Sequence, residues 1–213
     1  MKNRLSLIVA ALALAMVPGA NAVPISGFGD PITNAALVGG TVIDFDAGPV
    51  GLFGAITLSG VTFTGVGAPL NIGPDFNGSF NTRGVNSLFT GFDLDPDALR
   101  IDFTGSVSAF GFNWGAADNH WTMSVYDGSD TLLESFVVPP VFGSNAGEYF
   151  GIARPGIAYL TLVDMKDSPC CAAGDYIFID NFSYSGGEPV PEPSTLALLA
   201  LGGLGLLPSR RKR

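Results

Sequence analysis

Apolar and polar positions alternate along the middle of this chain with a period of two. Leu99, Ile101 and Phe103 take turns with Arg100, Asp102 and Thr104, so one face is dry and the other wet. Phe110, Phe112 and Trp114 share one face of the next run. Asp127-Gly128-Ser129-Asp130 has the composition of a hairpin turn. No segment of the body sustains a helical repeat; short β-rich runs are separated by Gly, Asn, Asp and Pro. About ten strands are predicted, near residues 40–46, 55–59, 61–65, 86–91, 99–104, 107–114, 121–127, 131–138, 148–152, 157–163 and 176–184, with one or two ranges surplus. Short strands with turn chemistry between them predict an all-β fold, an antiparallel β-sandwich of jelly-roll type. Residues 68–85 break the rhythm, because Pro69, Gly73, Pro74, Gly78 and three Asn read as a long polar loop.

The two ends follow other patterns. Lys2 and Arg4 precede the apolar stretch Leu5 to Val17, and Ala20-Asn21-Ala22 is a small-x-small cleavage site. Residues 1–22 therefore read as a secretory signal peptide and not as a membrane span. Residues 23–187 are one domain by length. Residues 188–213 open with Val190-Pro191-Glu192-Pro193-Ser194-Thr195, continue through an apolar run of 12 residues from Leu196 to Leu207, and end on Arg210-Arg211-Lys212-Arg213. As a helix the run is about 18 Å long at roughly 1.5 Å per residue, against a hydrocarbon core of about 30 Å. Gly202, Gly203 and Gly205 weaken it further. A short transmembrane helix with a basic cytoplasmic stop suits a segment held briefly in the bilayer and then cut. The competing reading, a terminal core helix, accords poorly with a proline hinge and four terminal cations.

This layout resembles the PEP-CTERM sorting signal of Gram-negative bacteria. The resemblance rests on Val190-Pro191-Glu192-Pro193-Ser194, the apolar run and the basic end. It implies recognition by an exosortase, a membrane transpeptidase-like cysteine protease, and cleavage near the motif. It further implies a transient stay in the inner membrane and export to the cell surface or an extracellular, biofilm-associated matrix. The body resembles other secreted proteins with the same tail, and carbohydrate-binding-like jelly rolls, through Ile43-Asp44-Phe45-Asp46, Ala109-Phe110-Gly111-Phe112, Phe150-Gly151-Ile152 and Ile179-Asp180-Asn181-Phe182.

Charge narrows the partners. Two of the ten Lys and Arg residues lie in the leader and four in the tail, so residues 23–209 keep four cations against all nineteen acids, a formal charge of −15. Such a surface excludes nucleic acid as a partner. It attracts divalent cations, or serves solubility alone. The two cysteines, Cys170 and Cys171, are adjacent and form no disulfide framework or zinc motif.

Three groups of residues are candidates for chemistry. Trp114, Asn119, His120 and Trp121 bracket a loop where two indoles stack on a sugar and the polar groups bond its hydroxyls, unless both indoles are core anchors. Asp44, Asp46 and Asp180 are candidate oxygen ligands for a structural Ca2+ between the first and last strands, by resemblance to such jelly rolls. Asp93, Asp95 and Asp97 read as a charged turn. Catalysis is not expected: His120 is the only histidine, and no Gly-x-Ser-x-Gly elbow is present. The expected function is a non-catalytic surface or matrix protein that contacts exopolysaccharide weakly; a small polysaccharide-active hydrolase is the alternative.

Overall fold

The computed structural model describes residues 22–74, 84–90, 98–142, 147–169 and 175–186. Its strands are β1 (Val23–Phe28), β2 (Thr41–Ile43), β3 (Gly51–Phe53), β4 (Ala55–Leu58), β5 (Val61–Val66), β6 (Leu70–Gly73), β7 (Ser87–Thr90), β8 (Ala98–Gly115), β9 (Trp121–Tyr126), β10 (Leu132–Val138), β11 (Glu148–Asp164) and β12 (Phe178–Gly186). Every pairing among them is antiparallel. The expected all-β antiparallel sandwich is the observed fold.

Its two layers are one hydrogen-bonded sheet folded on itself. The fold line runs through β8 and β11, each of which was expected as two strands. In the first layer, Ala98–Phe103 of β8 lies between β5 and the later half of β11, with β4, β9 and β10 outside them. In the second layer, Val107–Gly115 lies between the earlier half of β11 and β12, with β1 beyond β11 and β2, β7, β6 and β3 beyond β12. Strands that switch layers at a bend or bulge make such corners. In β8 the buried positions change parity, from Leu99 and Ile101 to Phe110, Phe112 and Trp114. Val107 still points inward in the first phase, and the extra residue is absorbed at Ser108, where Val107 and Ala109 lie opposite the adjacent residues Gly186 and Ser185 of β12. In β11 the passage falls at Pro155 and Gly156, where the register shifts and Gly156 takes φ +85°. A proline without a ladder donor and a left-handed glycine both fit a bulge.

The core lies between the layers. Phe63 of β5 meets Phe182 of β12 edge-on at 5.3 Å, and Trp121 of β9 meets Trp114 of β8 at 5.7 Å. A bulge at Asn181 (φ +46°) decides the face of the last strand. With one residue extra, Ile179 and Phe182 both point inward although three positions apart, and Asp180 falls opposite Asn113 on the other side.

Three strands were not expected. β1 carries Pro24 and, among the described residues, pairs with β11 alone, an edge position that tolerates proline. β3 and β6 pair with each other, and β6 places Leu70 and Ile72 in the core inside what reads as a long loop. The expected signal peptide (all but Ala22), the expected C-terminal hydrophobic helix, Asp93, Asp95, Asp97, Cys170 and Cys171 lie outside the described residues.

The second layer's outer face is covered by its own chain. Ala109, Gly111, Gly151 and Ala153 leave a shallow trough there, into which Leu37 sinks to 0% exposure with Ile25 and Tyr149 around it. A Cβ on Gly111 would stand 3.2 Å from Leu37 Cδ1, so the glycine is what lets the segment after β1 lie flat. Asn113 fastens the rim, donating to the carbonyls of Gly29, Gly147 and Glu148 and accepting from Asn181 Nδ2.

Candidate functional site

The sorting residues Val190, Pro191, Glu192, Pro193 and Ser194 lie outside the described residues, beyond the end of β12 at Gly186.

The tryptophan cluster is not a sugar platform. Trp114 and Trp121 are both 0% exposed, and each indole face is turned into the core. A ring with no open face cannot stack on a sugar, so the core-anchor alternative holds for both. The period-two pattern explains it: Trp114 is in phase with Phe110 and Phe112, and Trp121 with Met123 and Val125. Asn119 is buried as well, donating to Asp164 Oδ2 and accepting from the Ser168 N–H. Only His120 reaches solvent, where its Nδ1 lies 2.8 Å from Asp167 Oδ2. Asp167 also accepts the His120 backbone N–H, which is the main reason its pKa is held below the ordinary aspartate value.

The residue that organises this loop is Asp175, which sequence reasoning missed. Its buried carboxylate accepts from the backbone N–H groups of Asp118 and Asn119 and from Trp121 Nε1, at 2.9 to 3.0 Å. Burial raises its pKa despite these donors. Residues 116–120 carry the chain from the second layer to the first, so Asp175 pins the crossing.

The calcium expectation is not met by the three aspartates. Asp46 Oδ1 accepts the N–H groups of Val85 and Asn86, both at 2.7 Å, and so fixes the turn before β7. Asp44 Oδ1 accepts the Asp46 N–H, and Asp180 Oδ1 accepts the Asn181 N–H. Asp44 is exposed whereas Asp180 is 1% exposed. Among the described residues no group of three or more His, Cys, Asp or Glu comes together to hold a metal ion.

A different surface carries convergent polar and aromatic groups: the outer face of the first layer. Strand register lines its side chains up in rows. One row places Thr57, Thr62, Asp102, Tyr159 and Tyr126 side by side across five strands. The next places Thr64, Arg100, Thr161, Ser124 and Ser135 beside them. The Tyr126 and Tyr159 rings stack at 4.7 Å and 11°, and the Arg100 guanidinium lies 3.9 Å over Tyr159. Arg100 also grips Asp102 with three hydrogen bonds of 2.7 to 3.0 Å. Hydroxyls pair across strands, Thr57 with Thr62 at 2.7 Å and Ser124 with Ser135 at 2.9 Å. A third row is apolar and open, with Val66, Val163 and Val137 between 43% and 49% exposed.

Comparison with known families locates one motif. The family model described as "PEP-CTERM protein-sorting motif" matches residues 189–212. This is a PEP-CTERM sorting-motif protein. The motif marks an exported protein that an exosortase processes. No curated protein matches the chain. Solved structures similar to it include a CBM29-2 variant complexed with cellulohexaose, 16% identical with TM-score 0.44, covering 79% of this chain and 94% of that one. Another is a carbohydrate binding module of family 29, 14% identical with TM-score 0.40, covering 81% and 99%. The enzymatically active domain of bacteriophage CBA120 tailspike protein 4 is 16% identical with TM-score 0.32, covering 61% and 20%.

Proposed function

We propose that the mature PEP-CTERM protein is a non-catalytic β-sandwich of the cell surface or of an extracellular polysaccharide matrix. The signal peptide of residues 1–22 starts its translocation. Leu196–Leu207 then holds it in the inner membrane with Arg210–Arg213 on the cytoplasmic side, until cleavage near Val190–Ser194 frees the domain. The observation that carries this reading is the sorting motif over residues 189–212. Two features of the domain agree with it. The formal charge of −15 over residues 23–209 suits a protein that stays dispersed among polymers. The only histidine is committed to a surface pair with Asp167 and both tryptophans to the core, while a broad polar sheet face stays open for contact.

The test is fractionation of a host with and without its exosortase, followed by intact-mass measurement. The competent host is expected to place a chain lacking Arg210–Arg213 outside the cell. The exosortase-deleted host is expected to retain a longer form in its inner membrane. Recovery of the complete chain from the cytosol of the competent host overturns the reading.

A further inference from the structure

We propose that the outer face of the first layer, spanning β4, β5, β8, β11, β9 and β10, binds a neutral polysaccharide. This deepens the matrix reading above, on which it rests, by naming the surface and the class of ligand.

The first argument is exposure. The chain spends its own segment around Leu37 on the second layer's outer face and covers the first layer's with nothing among the described residues. Six strands abreast give a face roughly 24 Å wide at about 4.8 Å between strands, room for several sugar rings.

The second argument is charge. On a domain this acidic, an outward sheet face is expected to carry acids. Within the three rows the only ionised side chains are Arg100 and Asp102, which neutralise each other through a bidentate grip, and the Asp130 carboxylate at their edge accepts the Tyr159 hydroxyl. The face has no spare cation for a polyanion, and the domain's overall charge repels one. A neutral ligand is what the face matches.

The third argument is the chemistry of sugars, which present hydroxyl edges and apolar C–H faces. Each hydroxyl pair, Thr57 with Thr62 and Ser124 with Ser135, spends one proton internally and keeps another to donate. The Arg100 guanidinium is held still between Asp102 and the Tyr159 ring, so its remaining N–H groups are preorganised donors. The stacked tyrosines and the valine row supply apolar contact for ring C–H groups. Donors, acceptors and apolar strips alternate at strand spacing, without a deep cavity, which suits a long polymer laid across the strands.

The experiment is affinity electrophoresis of the full chain, in detergent that shields its apolar tail, through native gels holding dextran, galactomannan, hydroxyethylcellulose or alginate. At least one neutral polymer is expected to slow the wild-type protein, and alginate is expected not to. Tyr126→Ala and Thr161→Lys are each expected to weaken the retardation at least tenfold, with Leu52→Ser on the other layer unchanged. Melting curves confirm that the variants fold, and Thr161→Lys carries the test alone if Tyr126→Ala does not. Three outcomes overturn the proposal: no neutral gel slows the wild type, the face variants are slowed as much as the wild type, or alginate alone slows it. None depends on export, so the fractionation described above fails or succeeds separately.

Discussion

The two outer faces of this sandwich are built from opposite materials. On the second layer, Ala109, Gly111, Gly151 and Ala153 strip the sheet to backbone so that another part of the chain can lie on it. On the first layer, Thr, Ser, Tyr and Arg dress the same kind of surface with groups that reach outward, and they stay open. Small residues on a sheet face weaken the strands that carry them, and the packed cover compensates. Hydroxylated, β-branched and aromatic residues favour strands in their own right. One face is thus a stability device and the other is free to meet a ligand. The inner faces do not differ in this way, since both layers send large aromatic side chains to the same core.

That last point sets the largest expected effect. Trp121 belongs to the open layer yet is fully buried against Trp114 of the covered one. Trp121→Ala is expected to cost about 4 kcal/mol, by lost transfer energy and the cavity left behind. Urea unfolding of the purified protein checks it. A cost near zero with a folded spectrum would mean that the indole faces solvent and that the core reading is wrong.

The contrast between the outer faces is tested next. Leu37→Ala removes the buried anchor of the cover and is expected to cost about 3 kcal/mol. Tyr126→Ala on the open face loses one stacking partner and is expected to cost about 1 kcal/mol. The same unfolding measurement reads both. Equal costs would erase the distinction between the covered and the open face.

A third test concerns the crossing between the layers. The Asp175 pKa is raised because burial penalises its charge. An acid whose folded pKa lies above its unfolded one favours folding more as pH falls, and loses that contribution as pH rises through the folded value. Asp175→Asn keeps the shape but cannot titrate. The variant is expected to be less stable at neutral pH by about 2 kcal/mol, because an amide nitrogen now faces N–H donors. Its deficit in Tm is expected to widen as pH is lowered from neutrality toward the ordinary aspartate pKa of 3.8. Asp127 and Asp167, whose pKa values are lowered chiefly by backbone N–H donors, act in the opposite sense, losing their contribution as pH falls below 3.8. They do so equally in both proteins and cancel in the comparison.

Much of the fold was legible because alternation reports which face is dry. Leu99, Ile101 and Phe103, and then Phe110, Phe112 and Trp114, announced their strands correctly. What alternation cannot distinguish is a turn from a bulge. The exposed stretch Thr104–Ser106 reads as a break between strands, whereas β8 runs straight on into the other layer. The bulge at Asn181 hid the side of Asp180 for the same reason. The prolines beside β6 misled, because Pro69 and Pro74 lie just outside Leu70–Gly73 and remove no donor from its ladder. The phase of both tryptophans already placed them with the core, and the loop between them drew attention away from it. Asp175 left no periodic signal at all, since its role depends on which loop folds over it. The open face was half legible: Arg100, Asp102 and Thr104 marked a wet side, but only strand order puts Arg100 over Tyr159 and Tyr159 beside Tyr126.

The smallest expected effect is the sharpest on the meaning of the open face. Thr161 sits in the middle of the hydroxyl row, between Arg100 on β8 and Ser124 on β9. It is half-exposed, and Thr161→Ala removes only an outward hydroxyl and methyl group. Such a surface change is expected to shift stability by less than about 0.5 kcal/mol. If the row exists for the sheet, through β-propensity and side-chain contacts across strands, then Thr161→Val should be as harmless as Thr161→Ser in every measurement. If it exists for a ligand, the two part company. Serine keeps the donor and the retardation in a neutral polysaccharide gel, while valine keeps the shape and the stability but loses the retardation. A valine variant that is retarded like the wild type would assign the row to the sheet alone.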